Sequence, residues 1–146
     1  MKKLFFHLHL VLIPLFVILV FASPVIGKIL AFAETVTRFE GMFAETFLPT
    51  LVGGMLLQLA IIIILEGAAV IAAVISVINR EFLPEKNKVF LRSSLILSAA
   101  AFFILAFGQQ VLGNGDHFFK IFTYFVFTLF LLHIVPQEKK GFWPWQ

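Results

Sequence analysis

Residues 61–70 read IIIILEGAAV: an unbroken aliphatic run enters a glutamate, Glu66, and leaves through glycine and alanine. The segment around it, residues 47–78 (FLPTLVGGMLLQLAIIIILEGAAVIAAVISVI), carries no charge besides Glu66. A helix needs about 20 mostly apolar residues to cross the hydrocarbon core of a bilayer. This segment offers more, so its helix tilts or projects beyond the lipid.

The rest of the chain agrees with a lipid solvent. Of 146 residues, 61% are hydrophobic and 13% charged. A soluble domain this small leaves much of its surface in water and could not hide so much apolar area. Four helices are expected, at about 8–28, 52–78, 93–113 and 118–135. The fold class that follows is all-α, a polytopic membrane protein with its transmembrane helices in one antiparallel bundle. The opening MKKLFFHLHLVLIPLFVILVFAS has the basic start and apolar core of a signal peptide, but Pro24 directly after Ala22 and Ser23 argues against cleavage. It is read as a retained first helix, kinked at Pro14 and Pro24. Residues 29–46 carry Ile29, Leu30, Phe32, Val36, Phe39 and Phe43 at helical spacing, with Glu34, Arg38 and Glu40 between them. That pattern suits an interfacial helix, or a helical extension of the first span.

Four spans place both termini on one side. Lys2, Lys3, Arg80, Lys86, Lys88, Arg92, Lys139 and Lys140 fall on that side, and Lys28, Arg38 and Lys120 on the other. Excess Lys and Arg marks the cytoplasm, so both termini are expected on the cytoplasmic side. The formal net charge of +3 therefore speaks to orientation and implies no nucleic-acid partner. Trp143 and Trp145 in the tail suit a headgroup-level aromatic belt.

The absence of cysteine excludes disulfides, thiolate metal sites and thiol redox chemistry. No phosphate loop, nucleophile elbow, HExxH or calcium loop is present, and no catalytic residue is assigned. His7 and His9, with His133 at similar depth, are the residues a b-type haem would need; they read better as interfacial polar groups, and no cofactor or metal is expected. Asp116 and His117 are too few for a metal site. GNGDHF at 113–118 reads as a tight turn.

Depth sorts the polar residues. At 1.5 Å per residue, Glu66 lies about 21 Å from Arg80, past the middle of a core about 30 Å thick. Gln58 lies at about 33 Å, and Gln109 and Gln110 lie about 25 Å from Arg92. Tyr124, Thr123 and Ser23 belong to the same outer layer. A lone acid at that depth is costly. It either stays protonated or finds a donor. No Lys or Arg lies in the middle of a span, so an ion pair within the chain is disfavoured, and a protonated carboxyl bonded to Gln109, Gln110, Ser23 or Tyr124 is the economical arrangement. Glu66 then serves as an interhelical tie, as a ligand-binding or proton-carrying group with Gln109, Gln110, Tyr124 and Ser23, or as a contact to a partner protein.

Gly67, Ala68, Ala69, Ala72 and Ala73 on the second helix face a similar set on the third: Ser94, Ser98, Ala99, Ala100 and Ala101. Small residues let helix backbones approach in lipid. A tight hairpin is expected there, opening farther out around larger side chains into a cavity floored near Glu66.

Three stretches resemble the small four-helix bacterial membrane proteins of the DoxX-like kind, and a related-looking group of small integral membrane proteins of unknown function. They are IGKILAFAETVTRF at 26–39, ILEGAAVIAAVI at 64–75, and EKNKVFLRSSLILSAAAFFILAFGQQVLGNGDHFF at 85–119. The resemblance implies a four-helix bundle in a bacterial inner membrane and an accessory role, with a quinone-linked redox subunit as a weaker implication. The chain departs from these groups in lacking cysteine and a tryptophan-rich third loop. The sequence thus points first to a non-enzymatic accessory or assembly subunit, with a membrane-protein partner or a homo-oligomer. A small-molecule or proton-coupled carrier using Glu66 is the alternative.

Overall fold

The computed structural model describes residues 2–135 except 84–85, with side chains from Leu10 onward. Its elements are α1 (Lys2–Leu30), α2 (Phe32–Phe43), a 3-10 turn (Leu48–Thr50), α3 (Gly54–Ile78), α4 (Val89–Val111) and α5 (Gly115–Ile134). Four of these helices are long and apolar enough to cross a membrane: α1 over Leu10–Leu30, α3, α4 and α5. The protein is a multi-pass helical membrane bundle. Trp143 and Trp145 lie outside the described residues.

Each boundary has a local cause. α1 runs through Pro14 and Pro24, which a membrane helix tolerates when neighbours meet the freed carbonyls. It breaks at Ala31 (φ −113°, ψ 42°), and α2 follows as a separate short helix. α3 starts after Gly53, whose φ of 80° is left-handed, a conformation glycine adopts without steric cost. It ends in a pattern that usually needs glycine: Arg80 N–H donates to Val77 O, Glu81 N–H donates to Ser76 O, and Arg80 itself has φ 56°.

That unusual end places Glu81. Its carboxylate accepts from Leu91 N–H at 2.7 Å and Phe90 N–H at 3.2 Å. Those are orphan donors of the first turn of α4, so α4 begins at Val89, earlier than expected from hydrophobicity. Two cations complete this end. Lys88 Nζ donates to Leu83 O and Lys86 O at 2.6 and 2.8 Å. Arg92 Nη1 donates to Val135 O at 2.8 Å, just past the last turn of α5. Burial holds the Lys88 ammonium below the usual lysine range, against the opposing pull of Glu81. At the far end, Asn114 Oδ1 accepts from His117 N–H and starts α5 at Gly115.

The spanning helices pack in chain order, α1 on α3, α3 on α4 and α4 on α5, with α1 also meeting α4. Ala69, Ala72, Ala73 and Ser76 of α3 are buried, as are Ser94, Ser98, Ala99 and Ala101 of α4. The expected small-residue hairpin is therefore present. The serines do not bond across it: Ser94 Oγ donates to Leu91 O and Ser98 Oγ to Ser94 O, within their own helix. They act by being small. α5 sits at the edge, and Thr128 is its one buried residue. Aromatic contacts hold it, with Phe102 stacked on Tyr124 (5.6 Å) and Phe16 edge-on to Phe127 (5.6 Å).

Candidate functional site

Glu66 stands at the midpoint of α3, where every backbone N–H is already engaged in the helix. Its carboxylate meets an ammonium. Lys28 Nζ, from the last turn of α1, donates to both Oε1 and Oε2 at 2.6 Å. The glutamate side chain is 2% exposed and the lysine 17%. The expectation that no ion pair would form within the chain is overturned.

The physical reason is the direction of side chains along a helix. Every Cα–Cβ bond tilts toward the helix N-terminus. α1 and α3 are antiparallel neighbours, so Lys28, at the α2 end of the bundle, sends its stem back toward the middle. Glu66 sends its own toward the α2 end, and the two converge. A count of Cα depths assigns Lys28 to the boundary and misses a four-carbon stem aimed inward. Gly67 helps: a Cβ there would stand 4.0 Å from Val25 Cγ1, so α1 lies close beside the pair. Nothing but the lysine ending the first apolar run (Gly27-Lys28) signalled the partner in the sequence.

The other residues singled out from the sequence do not gather around Glu66. Ser23 and Gln110 are exposed. Tyr124 is half-exposed and belongs to the aromatic layer with Phe102 and Phe16. Gln109 lines a separate cavity. His133 is exposed, and the side chains of His7 and His9 lie outside those described. Among the described residues no three His, Asp or Glu side chains are grouped to hold a metal.

Two hollows open toward the α2 end of the bundle, and one of them reaches the pair. A groove of about 360 Å³ reaches Lys28 from the α2 end, lined by Pro24, Gly27, Ala31, Glu34, Thr35 and Arg38. The second hollow is a cavity of about 260 Å³ between α2, the 3-10 turn, α3 and α4. It is the expected opening of the α3–α4 hairpin, with a different floor. Leu59 and Ile62 close it, and Glu66 is not on its wall. Gln58 and Gln109 are its polar groups, and Gln58 Nε2 donates to Leu48 O at 2.8 Å.

Comparison with protein-family models, with curated proteins and with solved structures finds no match to this chain.

Proposed function

We propose that the protein is a non-enzymatic accessory or assembly subunit of a membrane complex. Its place is the bacterial cytoplasmic membrane, with both termini on the cytoplasmic side. The observation that carries this is the Lys28–Glu66 pair. The acid in the middle of α3 has both oxygens bound to one ammonium of the same chain, so it fixes α1 against α3. Losing either member of such a pair leaves the other charge buried without its partner, so the pair opposes any rearrangement that would separate α1 from α3. The DoxX-like resemblance is consistent with an accessory role. Gentle purification at native expression level, with mass spectrometry of what accompanies the protein, tests the reading. A stoichiometric membrane-protein partner is expected. Purified protein that alone turns over or transports a substrate would overturn it.

One observation favours a second reading, the carrier. The groove lined by Glu34, Thr35 and Arg38 reaches Lys28, giving a solute or proton a route to the pair. In that reading Glu66→Gln abolishes transport while the protein still folds. Transport unaffected by Glu66→Gln would dismiss it.

A further inference from the structure

The cavity between α2, α3 and α4 lies within the spanning part of the bundle. Its inner wall is fully covered: Leu59, Ile62, Met55 and Phe43 are all buried. Its mouth is different. Met42, Leu51, Ile61 and Phe107 rim the opening and are between 42% and 48% exposed. Ile61 of α3 and Phe107 of α4 lie on membrane-spanning helices, where such exposed apolar residues face hydrocarbon, so on their side the mouth opens into lipid.

α2 fixes the depth. Phe39, Met42 and Phe43 face the cavity, while Glu34, Arg38 and Glu40 are exposed on its other side. A short helix divided in this way lies at headgroup level with its apolar face inward. The cavity beneath it therefore begins at the top of the acyl region. Gln109, near the end of α4 at the same level, is half-buried on the cavity wall, and its side chain makes no hydrogen bond among the described residues. Water gains little in a chamber this apolar, because it needs two to four polar partners to settle.

We propose that this cavity is a binding site for one acyl chain of a phospholipid from the leaflet on the α2 side, with the Gln109 amide donating to the ester carbonyl. The walls take the chain, α2 roofs it, and the glycerol backbone rests at the level of the polar face of α2. The inference is independent of the accessory-subunit reading, since a scaffold or a carrier could equally hold a structural lipid.

The test uses the full chain in nanodiscs of phosphatidylethanolamine and phosphatidylglycerol doped with a phospholipid carrying a diazirine on one acyl chain. After illumination, mass spectrometry maps the adducts. Labelling at Met42, Met55 and Phe107 should exceed that at Leu19 and Ile96, which are exposed elsewhere on the bundle, by about tenfold, equivalent to about 1.4 kcal/mol of preference. It should also fall when unlabelled phospholipid is added. Gly108→Leu fills the cavity from its wall, where a Cβ meets Phe43 Cζ at an ordinary 3.5 Å, and should remove that excess. Uniform labelling of all lipid-facing surfaces would overturn the proposal. So would competition by an isoprenoid but not by phospholipid. If Gly108→Leu fails to fold, the excess and its competition in the wild type decide the matter alone.

Discussion

Among the described residues two glutamates are buried, Glu66 and Glu81, and they are satisfied by opposite means. Glu81, at the end of the bundle where α1 begins and α5 finishes, receives backbone N–H groups from the first turn of α4. Glu66, in the middle of α3, receives a side chain from another helix, 38 residues away in sequence. A helix N-terminus has free donors and the positive end of a dipole, so a carboxylate there needs only to be nearby. A helix interior within a membrane has neither, and the backbone is fully engaged. A mid-span acid can then be met only by a side chain long enough to reach it. Position relative to the helix end decides which kind of partner an acid can have.

The contrast is most easily broken at Lys28. Lys28→Met leaves the Glu66 carboxylate buried without its cation and should cost about 3–5 kcal/mol, measured by reversible unfolding in detergent. Glu81→Ala removes charge-assisted bonds to a helix terminus and should cost less, about 2 kcal/mol. Hydrogen exchange at Phe90 and Leu91 should rise selectively in that variant. A larger loss for Glu81→Ala than for Lys28→Met would reverse the contrast. Arg80→Gly should stabilise by about 1 kcal/mol, because glycine relieves a left-handed conformation that costs an L-residue about that much. No gain would mean that the turn is held by something other than its backbone pattern.

The smallest effect concerns pH. Burial lowers the Lys88 ammonium from its ordinary value of 10.5. Between the lowered value and 10.5, the unfolded chain holds a proton that the folded chain has released. Stability therefore rises with pH across that window. Lys88→Met should flatten the rise, and a wild-type stability that falls there would contradict the assignment.

The spans and the α3–α4 hairpin were legible because each rests on a property summed over many residues: apolar length and a run of small side chains. A helix over Phe32–Phe43 was legible as a pattern, though the break at Ala31 was not, since alanine gives no signal for leaving a helix. Helix starts were misplaced where a cap came from a distance. Glu81 sets the start of α4 from the preceding turn, and no local motif announces it. The candidate site was the least legible part of the molecule. Glu66 was found as an anomaly of composition. Its partner lies hidden from backbone depth, because Lys28 sends its side chain inward from the boundary. Gln109 lines the cavity and not the surroundings of Glu66, since a shared depth does not give a shared face.

The central claim is that Lys28 and Glu66 form one structural unit. A double-mutant cycle of Lys28→Met, Glu66→Met and the combined variant, read as unfolding free energy in detergent, tests it most directly. The combined variant should be more stable than Lys28→Met alone, because removing both charges leaves neither buried without a partner. Losses that simply add would contradict it and return Glu66 to the role of an unpaired, working acid.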